Sequence, residues 1–410
     1  MMAQDLVLEA DAGRDSAAAK AIPVEQARMG DMVLSLAGRM EDLEPAWRRM
    51  QALPRNSLHQ GYDWCKAWFD SAGSELALVE GRIGGRTVMI LPLDIHRRAG
   101  LSIAYPPAHG YNNFNSGLFA QDFQLTAQEQ AQFSRKLGRC LSGCADLVVI
   151  DAVPLVWRGL RHPFADLATV PHPNNSFQLP ILDTFERTLS QLNAKRRRKK
   201  FRIQTRRMEE AGGFDHYIPR TRDESHALLE VFFAQKRRRF EAHGLPDAFG
   251  RPAVRAFYHA LLDAPANGSD QPLFLHALRL SGDAEKPVVA VSGMSRKGDH
   301  LICQFGSIDA VRVPDASPGE LLYWLMIEQA GAQGISLFDF GVGDQGYKRS
   351  WCPVETELSD ILIPLTARGR LAARLHAGVV RLKGRVKRSP MLYRLLQRLR
   401  AGKGRADSEA

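Results

Sequence analysis

The 410-residue chain lacks any apolar run near the ~18 residues that a membrane-crossing helix needs. Residues 1–22 lack a basic stretch followed by an apolar block, and Asp5, Glu9, Asp11 and Asp15 interrupt any such block. They read as a disordered lead-in rather than a secretory signal. Cysteine is scarce: Cys65, Cys140, Cys144, Cys303 and Cys352 are odd in number and scattered. That argues against a disulfide framework and for a reducing, cytoplasmic compartment. Cys140 and Cys144 can share a helix face, but no histidine or further cysteine stands at ligand spacing. No metal is therefore expected, and both read as small buried hydrophobes.

What is present is ordinary in amount and uneven in place. Apolar residues make up 45% of the chain, ample for real cores, and the length fits two or three domains at ~150 residues each. The net charge of +10 is concentrated in two stretches. Residues 195–207 hold nine Lys/Arg and residues 368–400 hold eleven, with no acid in either. The rest of the chain is net acidic, so the basic character is two patches on an acidic body.

Periodicity and turn residues divide the chain into a flexible tail over 1–30, a first lobe over 31–184, a second over 185–366 and a basic tail over 367–410. In the first lobe, Trp64, Trp68 and Phe69 lie in a helical stretch. Residues 76–80 and 87–93 alternate as strands joined at Gly84-Gly85, which predicts a hairpin. A helix over about 126–142 and a buried strand over 146–151 follow. The second lobe opens with one long basic helix over 185–211, stopped at Gly212-Gly213. Helices at 222–243 and 251–263, strands at 273–280, 287–295 and 300–308, a helix at 318–331 and a strand at 335–340 follow. The first lobe shows a fainter version of this order, so the chain reads as two similar α/β lobes from an internal duplication.

Two segments carry candidate chemistry. In Ser317-Pro318-Gly319-Glu320 the serine suits an N-cap, the proline the first turn, and Glu320 completes a capping box. A helix start after a strand and loop is a common anion site, since its amides point outward; a pyrophosphate fits there, as does the reading of a plain capped helix. The second segment runs from Phe338 to Trp351, a short apolar strand entering a loop with three glycines. Asp339 or Asp344 is placed to accept a proton, Tyr347 to return one to a leaving thiolate, and Lys348 to stabilise an oxyanion or phosphate. His109, Tyr111, Asn112 and Asn113 form a polar turn that can line an acceptor cleft between the lobes. One of Arg237–Arg239 can face the same cleft. The substrate-side candidates are Tyr111, Asn112, Arg238 and Trp351. His300, after a hairpin turn, reads as a surface residue. Cys303 lacks a histidine nearby in sequence and is not expected to be a nucleophile.

Residues 190–365 resemble the BioF-like, CelD-type branch of the GNAT acyltransferase superfamily. The resemblance rests on Arg206-Arg207-Met208-Glu209-Glu210-Ala211-Gly212, on Phe232-Phe233 with Arg237 to Phe240, and on the strand pair over 287–308. It rests further on Ser317-Pro318-Gly319 and on the tail Asp339-Phe340-Gly341, Gly343-Asp344, Tyr347-Lys348 and Trp351. The first lobe is similar more loosely, through Trp64, Trp68 and Leu91-Pro92-Leu93. The resemblance implies two GNAT-like lobes, each a mixed, mostly antiparallel sheet flanked by helices, with basic amphipathic helices at the C-terminus. It implies acyl-CoA (acetyl-CoA) as donor, held at Ser317, Pro318, Gly319 and Glu320, and direct transfer to an amine or hydroxyl. The acceptor is then a small molecule or saccharide, in polysaccharide or cell-envelope biosynthesis. The Arg/Gln-x-x-Gly-x-Gly/Ala loop usual in that superfamily is absent here, which leaves another activated acyl group open as the donor. The two-lobed layout also resembles Fem-type transferases that draw on aminoacyl-tRNA, and residues 195–207 would then bind RNA; DNA is not expected. A third reading is a non-catalytic scaffold of a polysaccharide-synthesis complex.

In the basic tail, Leu371, Leu375, Val379, Leu382 and Val386 form one apolar helix face, and Leu392, Leu395, Leu396 and Leu399 repeat it beyond Pro390. This composition suits peripheral contact with an anionic membrane at its inner face, or docking on the protein body.

Overall fold

The computed structural model describes residues 31–309, 311–313 and 315–388. The lead-in over 1–30, Pro314 and the leucines from Leu392 to Leu399 lie outside the described residues.

The first half runs β1 (Val33–Ala37), α1 (Glu44–Gln51), α2 (Tyr62–Ala72), β2 (Glu75–Ile83), β3 (Arg86–Arg98), β4 (Leu101–Tyr105), β5 (Leu118–Phe119), α3 (Ala127–Cys140) and β6 (Leu147–Val153). Then come β7 (Val156–Trp157), β8 (Leu160–Arg161), β9 (Thr169–Pro171) and β10 (Ser176–Pro180). The second half opens with α4 (Phe185–Ser190), α5 (Ala194–Glu210), β11 (Phe214–Tyr217), α6 (Arg222–Ala242) and α7 (Pro252–Asp263). It continues with β12 (Gln271–Leu280), β13 (Val288–Lys297), β14 (His300–Ile308), α8 (Pro318–Ala330) and β15 (Leu337–Val342). α9 (Gly346–Trp351), β16 (Val354–Thr356), β17 (Ser359–Pro364) and α10 (Ala367–Arg388) complete it.

Local chemistry accounts for many of these boundaries. Gly84 and Gly85 both adopt positive φ, the conformation a two-residue hairpin turn requires, and β2 pairs with β3 across them. Thr126 with Glu129, and Thr221 with Glu224, form complete capping boxes at the starts of α3 and α6. The single helix expected over 185–211 is two. Asn193 caps a new start by accepting from the Arg196 amide, so α5 begins afresh after α4 ends. The loop expected after β15 contains a short helix, α9, which carries Tyr347 and Lys348.

Apart from β5, which has no counterpart, the order α1-α2-β2-β3-β4-α3-β6 recurs as α6-α7-β12-β13-β14-α8-β15, and in each set the last two strands pair in parallel. The molecule is built on two mixed, mostly antiparallel sheets flanked by helices, a two-lobed α/β fold. The lobes also exchange strands. β10, which follows the first set, pairs with β15 in the second sheet; β17, which follows the second set, pairs with β6 in the first. The divisions read at 184/185 and 366/367 therefore do not follow the sheets. Each lobe needs a strand from the other to cover an otherwise bare sheet edge. Aromatic packing joins them as well: Trp64 and Trp68 of α2 meet Phe257 of α7 edge-on at 5.4 and 5.3 Å. All three rings are buried.

The basic helices are placed differently. Arg197 and Lys200 of α5 hold Glu320 at the start of α8 at 3.3 and 2.7 Å, which docks α5 on the second lobe. α10 lies on the first sheet, with Ala372, Ala373, Ala377 and Val380 packed against Leu147, Val149, Val170 and Leu362. Gly369 touches the Asp146 carbonyl so closely that a Cβ there would sit 1.7 Å from its oxygen.

Candidate active site

β14 and β15 pair over only His300–Leu337, Leu301–Phe338 and Ile302–Asp339, and then diverge. A bulge starts the divergence: Gly293 faces Phe305 and Met294 faces Cys303, so Gln304 is the extra residue in β14. An unmatched residue bends its strand. The divergence is bridged from the other lobe. Asn113 donates its side-chain amide to the Cys303 carbonyl at 3.0 Å and accepts from the Val342 amide at 3.2 Å. Gly341 makes room for it: its φ is +73°, and a Cβ would meet Asn113 Oδ1 at 2.3 Å.

A cavity of about 720 Å³ opens at the far end of the divergence. Ser317, Pro318, Gly319 and Glu320 line it together with Tyr347, so the two segments singled out in the sequence share one space. Gly319 sits tight against β14, where a Cβ would meet Ile308 Cγ2 at 2.9 Å. The expected capping box is not formed. Ser317 lies in the left-handed region at φ +50° with no side-chain cap, and Glu320 turns to Arg197 and Lys200. Two full cations outcompete a backbone amide for that carboxylate. Lys236 and Arg239 of α6 add positive charge to the cavity. Burial pulls Lys236 down to about 8, and Arg239 adds to the shift. Tyr347 stacks on Tyr323 with centroids 5.6 Å apart, and burial pushes its hydroxyl up. It therefore stays protonated.

A second cavity of about 430 Å³ lies between the lobes, at the paired end of the same strands. Asn56, His59, Asn115 and Trp157 of the first lobe face Lys297, His300, Ile302 and Asp339 of the second. His300 is buried, not on the surface, with Nε2 3.3 Å from Asp339 Oδ2 and its ring 5.4 Å from Trp157. Asp339 is fully buried. Its other oxygen accepts from the Gly341 amide at 2.7 Å, Ser176 Oγ at 3.2 Å and Gln178 Nε2 at 3.4 Å. Those bonds hold it as a fixed carboxylate that orients His300. His59 donates Nε2–H to Gln304 Oε1 at 3.1 Å, and burial lowers it to about 4, so it is neutral near pH 7.

The remaining candidates sit elsewhere. Asp344 is exposed and forked to Arg349 at 2.5 and 2.9 Å, outside both cavities. Lys348 is buried and donates to the Gly341 and Val342 carbonyls at 3.0 and 2.9 Å, closing the end of β15 instead of reaching the cavity. Tyr111 donates to the Ala248 carbonyl at 3.0 Å. Asn112 is buried and ties together Trp64, Pro107 and Asn115. Arg238 is exposed on α6 and lines neither cavity. Trp351 is a core residue, 1% exposed, with the Arg197 guanidinium 4.1 Å from its ring centre. Of the polar turn, Asn113 is the residue that reaches the strand divergence. Lys236, His59 and Trp157 carried no local signal, because only lobe packing brings them to a cavity.

Residues 195–349 match the family model described as Acetyltransferase (GNAT) domain. No curated protein is a significant sequence match. Among solved structures, that of FemX superposes with a TM-score of 0.56 at 13% identity, covering 82% of this chain and 98% of that one. A conserved protein of unknown function from Bacteroides thetaiotaomicron VPI-5482 superposes with a TM-score of 0.51 at 9% identity, covering 82% and 100%. At these identities the likeness is one of fold. Residues 195–349 are thus similar to a GNAT acetyltransferase domain, set within a two-lobed frame that is similar in fold to FemX.

Proposed function

We propose that the protein transfers an acyl group from acyl-CoA, acetyl-CoA among the candidates, to an amine or hydroxyl of a saccharide acceptor in polysaccharide or cell-envelope biosynthesis. The observation that carries this reading is the divergence of β14 and β15, with one cavity at its open end and another at its paired end; Asn113 stands between them, so the acyl end of the donor would pass beside its side chain to reach His300. Residues Ser317 to Glu320, with Lys236 and Arg239, would hold the donor's phosphates. His300, oriented by Asp339, would take the proton from the attacking group. Tyr347 would return one to the departing thiolate. The Trp157 ring beside His300 offers a saccharide a flat apolar surface in the cavity wall.

Thermal shift and thiol release against CoA, acetyl-CoA and longer acyl-CoAs test the donor. A donor at about 100 times its dissociation constant is expected to stabilise the fold by ~2.7 kcal/mol. No shift and no thiol across the panel would sink the acyl-CoA reading.

The half-buried Lys236 adds a pH dependence. Its ammonium is charged below about 8, so CoA affinity is expected to fall as pH rises through that value. Titration calorimetry on Lys236→Gln should show weaker binding without that step. A variant that keeps the step would remove Lys236 from the site.

One observation favours an aminoacyl-tRNA donor instead. Although α5 is docked, Lys195, Arg196, Arg198, Lys199, Arg202, Arg206 and Arg207 remain exposed on it. Salt-dependent tRNA binding that CoA does not displace would move the assignment there.

A further inference from the structure

We propose that the outward face of α10 binds an anionic lipid bilayer. Leucines on a surface helix ordinarily face the core, and here the arrangement is reversed. The side of α10 against the first sheet is built of Gly369, Ala372, Ala373, Ala377 and Val380. Leu371, Leu375, Val379 and Leu382 point away from the body and are 61%, 64%, 51% and 62% exposed. At about 100° per residue these four fall within one stripe of roughly 80°, centred about 130° from the middle of the docked side, which begins at Ala372. The small docked residues let the helix lie close to the sheet, so the stripe stands as a ridge on the surface.

Charge decides what can cover it. Arg368, Arg370, Arg374, Arg381 and Lys383 are exposed beside the stripe, and residues 367–388 contain no acid. A second copy would bring the same cations face to face. The segment 389–410 is itself basic, with five Lys/Arg against Asp407 and Glu409. An anionic bilayer instead takes the leucines into its acyl boundary and matches the flanking cations with headgroup charge. The expected orientation sets α10 parallel to the membrane plane. Among the described residues no helix is long and apolar enough to cross a membrane, so the contact would be peripheral.

The test is flotation of the full-length protein with vesicles of phosphatidylcholine alone and of phosphatidylcholine mixed with phosphatidylglycerol. Wild type is expected to float with the mixed vesicles and to be partly released by salt. The triple variant L371E/L375E/L382E is expected to lose about tenfold or more in partitioning. All three side chains are exposed, so its melting temperature should be unchanged; a second variant, L371A/L375A/L382A, should show an intermediate loss. Equal flotation of wild type with neutral vesicles, or unaltered flotation of the triple variant, would overturn the proposal. So would light scattering that finds a wild-type dimer which the triple variant dissociates while flotation stays the same.

Discussion

Replacing His300 by glutamine is expected to lower turnover about 10²–10⁴-fold while leaving donor binding intact, the usual scale for removing a positioned general base. The residue is buried in the wall of the inter-lobe cavity, with Nε2 on the Asp339 carboxylate. Asp339 cannot easily serve as the base itself. It has no solvent exposure, and its second oxygen already accepts three hydrogen bonds. Its role is to hold the imidazole in one orientation. Asp339→Asn should therefore reduce kcat less than His300→Gln and leave the donor KM alone. Steady-state kinetics with the best donor from the acyl-CoA panel, beside thermal shift with that donor, separates the two roles. Wild-type turnover in His300→Gln would remove the dyad from the chemistry and return the search to the cavity around Tyr347.

The second large effect concerns stability and the joint between the lobes. Gly341→Ala should cost about 3 kcal/mol. Roughly 1–2 kcal/mol comes from a Cβ at positive φ, and about 1 kcal/mol from each Asn113 hydrogen bond that the collision displaces. The collision is severe, because Oδ1 would lie 2.3 Å from the new carbon. At about 1 °C per kcal/mol for a chain this long, the melting temperature should fall by roughly 3–4 °C. Asn113→Gly in the same chain removes the obstruction, so the double variant should be more stable than the two single costs summed. A double-mutant cycle in urea would then give a coupling of about 1–2 kcal/mol. Strict additivity would show that Asn113 does not fill the gap beside Gly341.

Much of the architecture was legible because it is local. Gly84-Gly85 predicts its hairpin, alternating apolar residues predict β2 and β3, and the repeated helix-helix-strand order points to duplication. Thr126 and Thr221 start helices by contacts three residues away. The same local logic fails at Ser317, where a capping box was expected: Glu320 is three residues from the serine, but folding brings Arg197 and Lys200, more than a hundred residues distant in sequence, to its carboxylate. It fails again at 185–211, where the run of basic residues hides the new start at Asn193.

By itself, then, the sequence determined the order and type of most elements in the second lobe, the two basic stretches, and the segments that form the donor cavity. Those properties come from periodicity and from groups a few residues apart. Only the tertiary structure decided that β10 and β17 change lobes, that His300 meets Asp339, that Asn113 enters the gap between β14 and β15, and that the leucines of α10 face outward. Each depends on groups 39 to 229 positions apart, or on which of two helix faces packs better against a sheet. No residue pattern along one segment encodes either outcome, because the free energy belongs to the contact between segments.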